Sequence, residues 1–279
     1  MIAVREFAYT RADFERVRRL IHDRAGIALA DGKDEMVYSR LAKRIRAIGL
    51  AEFAEYLVLL EDAAHPEWEH FVNALTTNQT EFFREAHHFP VLAAHARSLG
   101  REVRIWSAAS ATGEEPYSIA MTLCETFGTF EPPVRILGTD LDTRALAEAR
   151  AAVYPLDRVA TVDETRLKRF FMKGKGARAG FARVRDEVRA LVEFRGINLR
   201  DAKWEIEGPF DAIFCRNVII YFDKPTQRAV LERLARRLAP DGLYFAGHSE
   251  SLLHAGDLFS PSGRMVYRRA GAPGGYDHG

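Results

Sequence analysis

Val103-Arg-Ile-Trp-Ser-Ala-Ala-Ser-Ala-Thr-Gly113-Glu-Glu-Pro-Tyr-Ser118 decides how this chain is read. A short β-branched and aromatic run meets small residues and one glycine, and a stretch with helical spacing, 114–127, follows. Working outward, the rhythm repeats. VRILGTD (134–140), LVEFRGINL (191–199), FDAIFCRNVIIYF (210–222), GLYFAGHSE (242–250) and RMVYRR (264–269) read as strands, with helical stretches at 143–152 and 225–238. Strand–helix alternation predicts an α/β domain with a mainly parallel sheet covered on both faces. The last two runs, with Gly and Pro between them, predict an antiparallel hairpin. Residues 153–190 interrupt the alternation, and FFMKGKGARAGFARVR (170–185) reads as a small hairpin insertion.

Residues 10–75 have a different pattern. Leu20 and Ile21, then Val37, Leu41, Ile45 and Ile48, then Phe53, Tyr56, Leu57 and Leu60 recur at helical spacing. Gly26, Asp31-Gly32, Gly49 and His65-Pro66 punctuate them, so a helical bundle is expected. Charge is segregated within it. Residues 1–48 carry eleven Lys/Arg and seven Asp/Glu, whereas 52–69 carry six acids and no Lys/Arg. On the 35–48 helix, Arg40, Lys43 and Arg46 point away from the apolar stripe and Arg44 borders it. That face suits either solvent or an acidic protein partner.

The whole chain has 279 residues, 47% of them hydrophobic and 28% charged, with a net charge of +1. These are ordinary globular values, and they exclude a fibrous repeat or an average charge that predicts a polyanion partner. Residues 166–203, with twelve Lys/Arg against four Asp/Glu, are a local exception. No apolar run reaches the length of a membrane span, and the start does not read as a secretory signal. Two cysteines, Cys124 and Cys215, exclude a disulfide framework and fit a reducing cytoplasm. The tail, 271–279, is expected to be disordered.

Four segments carry candidate chemistry. The loop at Ser107–Gly113 lets backbone approach a ligand at a helix N-terminus. It spells neither GxGxxG nor GxxxxGK[ST], and Glu114 and Glu115 would repel a pyrophosphate while suiting a cation. A plainer reading of these acids is that they complement the helix dipole. Asp140 ends the second strand, where an acid accepts hydrogen bonds from the ribose of an adenine nucleoside; Asp142 reads as the next helix cap. Arg216, Asn217 and Tyr221 follow a buried strand, beyond whose carboxyl end ligands bind in such sheets. Cys215 reads as core, and Asn198, after the third strand, is placed to reach the adenine. Thr76-Thr-Asn-Gln-Thr-Glu-Phe-Phe-Arg-Glu85 joins the two regions. Asn78 with Glu81 has capping-box spacing, but an Arg after two Phe offers a fixed cation beside an apolar wall. His87 and His88 lack metal-pair spacing and read as surface or junction residues, with no metal.

TTNQTEFFRE, SAASATGEEPYSIAM, GTDLD, IFCRNVIIYFD and PDGLYFAGHSESL, in that order, closely resemble the chemotaxis-receptor methyltransferases of the CheR type. The resemblance runs from about residue 10 to 270. It implies S-adenosylmethionine-dependent methylation of receptor glutamate carboxylates during sensory adaptation, with S-adenosylhomocysteine as product. It also implies an all-α N-terminal domain (1–75), a linker and junction helix (76–100), and a Rossmann-like methyltransferase domain (101–270) with an inserted antiparallel β-subdomain (155–190). Carried over residue by residue, the cofactor contacts fall on Asn78, Thr80, Arg84, Glu115, Asp140, Asn198, Leu199, Arg216, Asn217 and Val218. Arg84 and Tyr221 are the candidate catalytic residues. Arg40, Lys43, Arg44 and Arg46 would face the receptor, and Arg178 and Arg183 would attract an acidic receptor tail. The expected protein is a cytoplasmic monomer that binds receptor cytoplasmic domains, not nucleic acid, and does not insert into membrane.

The chemistry agrees with these residues. A Glu side chain is already ionised at neutral pH, so accepting a methyl group from a sulfonium needs no general base, and no Ser-His-Asp set is found. Three alternatives share part of the pattern. A nicotinamide oxidoreductase shares Asp140 but lacks GxGxxG. A non-catalytic cofactor sensor does not account for the FFRE and RNVIIYF segments. A nucleic-acid methyltransferase would use the basic segment, yet no aromatic platform is interleaved with it.

Overall fold

The computed structural model describes residues 5–271. The chain forms two compact units. One is the chain up to Thr77 together with Tyr221–Thr226; the other holds Asn78–Ile220 and everything from Gln227 on.

The first unit contains helices α1 (Arg11–Ala25), α2 (Asp34–Ala47), α3 (Phe53–Leu59) and α4 (Glu67–Leu75). Thr10 and Asp13 form a capping box that starts α1, and Gly26, in the left-handed region at φ 74°, ends it. Helices this short are stabilised mainly by burying one face. Phe14, Val17, Ile21, Val37, Leu41, Ile45, Phe53, Leu57 and Phe71 are fully enclosed and make that core. The Tyr221–Thr226 segment is tied into this unit. The Ala28 N–H donates to the Tyr221 carbonyl at 2.8 Å, Ile27 bridges Phe222, and His22 Nε2 lies 2.8 Å from Asp223 Oδ2.

In the second unit α5 (His88–Leu99) leads into β1 (Val103–Ser107), α6 (Glu114–Phe127), β2 (Val134–Asp140) and α7 (Thr143–Ala151). Three short strands follow, β3 (Val153–Pro155), β4 (Phe171–Lys173) and β5 (Phe181–Val184), with α8 (Glu164–Phe170) and α9 (Asp186–Arg189) among them. β6 (Val192–Gly196), β7 (Phe210–Cys215), α10 (Lys224–Arg237, of which the residues from Gln227 on belong to this unit), β8 (Leu238–Ala246), β9 (Phe259–Gly263) and β10 (Val266–Arg269) complete the chain order.

Seven strands form one sheet in the order β6-β2-β1-β7-β8-β10-β9. The first five are parallel and the last two pairings are antiparallel. Every residue of β7 is buried, as a central strand covered on both faces requires. The strand order turns back between β1 and β7, which opens the crevice where such sheets bind ligands. A dinucleotide fold would end in a sixth parallel strand; here an antiparallel hairpin fills that edge.

The insertion is an antiparallel sheet of order β3-β5-β4. It opens at Val153 and has one strand more than the hairpin read from the sequence. β9 was also invisible there, because Phe259-Ser-Pro-Ser-Gly263 has little strand propensity; it lies at the sheet edge, where proline is tolerated. The expectation about 271–279 falls, beyond Gly271, outside the described residues.

Candidate functional site

The Gly loop is fixed from both sides. The Trp106 indole N–H donates to Thr139 Oγ1 at 2.9 Å, and the Ser110 N–H donates to the Thr139 carbonyl at 2.8 Å. Gly113 has φ 96°, and a Cβ there would stand 2.9 Å from the Ala149 Cβ. Only glycine meets both conditions.

The two acids that open α6 do more than complement its dipole. Glu114 is fully buried, accepts from Thr112 Oγ1 at 2.7 Å and is paired with Arg158 of the insertion. Glu115 faces the other way. Ser107 Oγ donates to its Oε1 at 2.8 Å, and Arg216 donates to its Oε2 at 2.9 Å. Burial pushes the Glu115 carboxyl up from the usual range, with Arg216 and Ser107 pulling against it.

Arg216 links this helix to the junction segment. Its second NH2 group donates to the Arg84 carbonyl at 2.6 Å and stands 3.5 Å from Glu85 Oε2. Arg84 is partly exposed between Phe83 and Glu85, both at φ 56° in the left-handed region. Strained backbone on both sides of one residue persists only where surroundings enforce it. Those surroundings are visible. The Phe83 N–H donates to Ser118 Oγ at 2.9 Å, and buried Phe82 packs edge-on against Tyr154 and Phe171. The Arg84 guanidinium donates to the Gln79 carbonyl at 3.0 Å. No helix begins at Asn78, so the capping-box reading fails; its amide donates to Asp142 Oδ2 at 2.7 Å instead. Thr80 is partly buried in the same irregular stretch.

Asp140 ends β2 with its carboxylate held by the backbone N–H of Ala111 and of Asp142, at 2.8 and 2.9 Å. Burial pushes its carboxyl upward while those two donors pull it down. Asp142 caps α7 through the N–H groups of Arg144 and Ala145. Asn198 and buried Leu199 lie just after β6, next to Ile197, whose N–H donates to the Asp140 carbonyl at 2.9 Å. Asn217 has φ 58°, and Val218 beside it is partly buried.

Sequence reasoning missed Glu250. Its buried carboxylate accepts four backbone N–H bonds, from Asn217 at 2.7 Å and from Val218, Ile219 and Gly247 at 2.8 Å. It clamps the turn after β7 to the turn after β8. The signal lay in GHSES, whose acid follows a glycine at a strand end. Burial pushes this carboxyl up against those four donors. Cys215 is packed in the core, and burial pushes its thiol well above the ordinary range.

The remaining predicted residues are placed separately. Tyr221 is moderately exposed at the end of the turn Ile219–Tyr221 and groups with the helical unit. On α2, Lys43 is exposed, and Arg46 is exposed and paired with Glu6. Arg40 and Arg44 are partly buried. Arg40 donates to the Thr76 carbonyl at 2.7 Å, and Arg44 grips buried Glu67 through Nε at 2.5 Å and NH2 at 2.8 Å. Arg178 is exposed, and Arg183 pairs with Asp186 at 2.6 Å.

His88 corrects the surface reading. It is fully enclosed, 5.3 Å from the Phe245 ring and 6.4 Å from that of Phe214, because its apolar neighbours lie on strands remote in sequence. Glu85, His87 and His88 bring one ligand atom each within 4.8 Å of one another. The Arg216 guanidinium stands 3.5 Å from Glu85 Oε2.

Together these turns line the carboxyl ends of β1, β2, β6 and β7 with acids, amides and strained backbone. An acid at the end of β2 and acids in place of a phosphate cradle fit a nucleoside that carries a cationic group. Comparison with known proteins agrees. Residues 78–267 match the family described as CheR methyltransferase, SAM binding domain, and residues 12–76 match CheR methyltransferase, all-alpha domain. The chain is 55% identical to chemotaxis protein methyltransferase 2 of Pseudomonas aeruginosa over 95% of both chains. It is 50% identical to the chemotaxis protein methyltransferase of Escherichia coli, over 93% of this chain and 91% of that one. It is 51% identical to the Salmonella typhimurium protein of the same name over the same shares. From its junction motif to its closing hairpin, and through its helical unit as well, the chain belongs to the CheR methyltransferase family.

Proposed function

We propose that this chain transfers the methyl group of S-adenosylmethionine to glutamate side chains of chemotaxis receptors, acting as a monomer on their cytoplasmic domains and without nucleic acid. Bound in the crevice, S-adenosylmethionine supplies a methyl group on a positively charged sulfur. The acceptor glutamate is ionised near neutral pH, so the chain's residues align and exclude water rather than move a proton. Asp140 holds the ribose, and Asn198 and Leu199 meet the base. Asn78, Thr80, Glu115, Asn217 and Val218 line the rest. Arg216 acts from behind, through Glu115 and the Arg84 carbonyl.

The observation that carries this reading is the presentation of Arg84. Its backbone is fixed by Arg216 and by left-handed neighbours, and its guanidinium stays partly exposed. A cation fixed there steers an incoming carboxylate by a charge-assisted hydrogen bond. Tyr221 positions the methyl group or the acceptor. The exposed cations Lys43 and Arg46 face the receptor, while Arg178 and Arg183 attract an acidic tail. No helix among the described residues is long and apolar enough to cross a membrane; a cytoplasmic location is part of the proposal.

The test mixes the chain with radiolabelled S-adenosylmethionine and receptor-containing membranes, then maps base-labile methyl esters. Esters on receptor glutamates are expected, and Arg84→Ala should lower turnover sharply. Full turnover in Arg84→Ala with unchanged cofactor affinity would remove Arg84 from the chemistry. Absence of binding by S-adenosylhomocysteine in calorimetry would overturn the whole reading.

A further inference from the structure

Residues 197–209 leave β6 without regular secondary structure, yet the segment that begins at Asn198 is closed into a ring. The indole N–H of Trp204 donates back to the Asn198 carbonyl at 3.1 Å. The Asn198 side chain accepts from the Arg200 N–H at 3.0 Å, and its carbonyl also accepts from the Asp201 N–H at 3.0 Å. From α10, Arg233 donates to the Leu199 carbonyl at 3.0 Å and lies over the Trp204 ring at 5.2 Å. Arg237, one turn along, lies at 4.9 Å from the same ring and donates to the Trp204 carbonyl at 3.3 Å. Trp204 is only 5% exposed and meets Trp106 edge-on at 5.3 Å. Trp106 in turn binds Thr139, one residue before Asp140.

We infer that Trp204 and Arg233 are positioning residues for the nucleoside end of the cofactor. They hold Asn198 and Leu199, backbone and side chains together, in the place where these residues meet the base. The inference rests on the reading that these two residues contact the nucleoside. An irregular loop has no ladder of its own to fix it, so side-chain donors to its carbonyls set its position. Loosening them requires the loop to be ordered again on binding, which weakens affinity and leaves the methyl-transfer geometry alone. Arg84, Glu115 and Arg216 do not depend on this loop.

The test uses the full chain as wild type, Trp204→Phe, Arg233→Ala, Arg233→Lys and Asn198→Ala. Calorimetry measures S-adenosylhomocysteine and, separately, methylthioadenosine, which keeps the nucleoside and lacks the amino acid. Steady-state methylation of receptor membranes is measured alongside. Trp204→Phe and Arg233→Ala should each weaken both ligands roughly five- to tenfold, the size of one lost hydrogen bond. KM for S-adenosylmethionine should rise in parallel, with kcat and the acceptor KM within about twofold of wild type. Arg233→Lys, which keeps a donor and a cation, should recover part of the loss. A lower melting temperature with unchanged Kd in both clamp variants would show a merely structural role and overturn the inference. If Asn198→Ala weakens binding while neither clamp variant does, the inference fails by itself. If Asn198→Ala leaves binding unchanged, the underlying reading of Asn198 fails.

Discussion

The Arg216 guanidinium reaches the Glu115 carboxylate at 2.9 Å, and both side chains are almost wholly enclosed, 3% and 11% exposed. This pair joins the end of β7 to the start of α6 across the crevice. Two charges removed from water are tolerated when further hydrogen bonds support the pair. Here Ser107 also donates to Glu115 and Arg216 also donates to the Arg84 carbonyl, while the buried Arg216 Nε has no partner. Removing one partner strands the other. Arg216→Ala should cost about 3–5 kcal/mol in urea unfolding and abolish detectable S-adenosylhomocysteine binding. The double variant Arg216→Met with Glu115→Leu should cost less than the sum of its two single changes, because neither member of this pair is left facing the other's empty place as a bare charge. Additive losses would show that the two residues act independently.

Glu250 exerts a comparable effect with no opposite charge. Four backbone donors converge on one buried carboxylate, and the Asn217 backbone sits in the left-handed region beside it. Glu250→Gln keeps the volume but points an NH2 group at N–H donors. The expected loss is about 2–3 kcal/mol, read as a lower urea midpoint, with weaker S-adenosylhomocysteine binding because the Asn217–Val218 turn is released. Wild-type stability in this variant would mean that the clamp is not a determinant of the turn.

The order in which the sequence could be read follows from the range of the interactions. α6 was legible to its last residue because Gly113 and Gly128 bracket a helical pattern, and β2 because a β-branched run stops at Asp140. Both signals are local. Three of the four partners of Glu250 lie some thirty residues upstream, and only the fourth, Gly247, is a local sign. His88 is enclosed by Phe214 and Phe245 for the same reason. Asn78 has the spacing of a cap, yet tertiary contact with Asp142 overrides the local preference. Motif order located the crevice; the clamps behind it became visible only in three dimensions.

The basic face of α2 divides in the same way. Arg44 is bound to Glu67, whose side chain is 5% exposed and also accepts from the Tyr56 hydroxyl at 3.1 Å. Arg44→Ala should cost about 2 kcal/mol, the scale of hydrogen bonds to a charged group, in thermal unfolding. Lys43 is exposed, so Lys43→Glu should leave stability within about 0.5 kcal/mol while raising the receptor KM several-fold. A receptor KM unmoved by Lys43→Glu would remove this helix from docking.

Stability should also vary with pH through His88. Burial is the largest cause that lowers its pKa, to about 3, and the nearby Arg216 and His87 reinforce the shift. A histidine whose pKa is depressed in the folded chain is protonated first in the unfolded one. Its contribution is therefore complete above about pH 6.5 and is lost as pH falls toward 3. Within that window it adds a slope of up to about 1.4 kcal/mol per pH unit, the value of one proton. Urea unfolding from pH 7 to pH 5 measures the slope in wild type and in His88→Phe. The phenyl ring fits against Phe214 and Phe245 and cannot be protonated. The variant should show a shallower slope over this range, the difference approaching one proton at its acid end, and equal slopes would mean that the imidazole is protonated in the folded chain as readily as in the unfolded one.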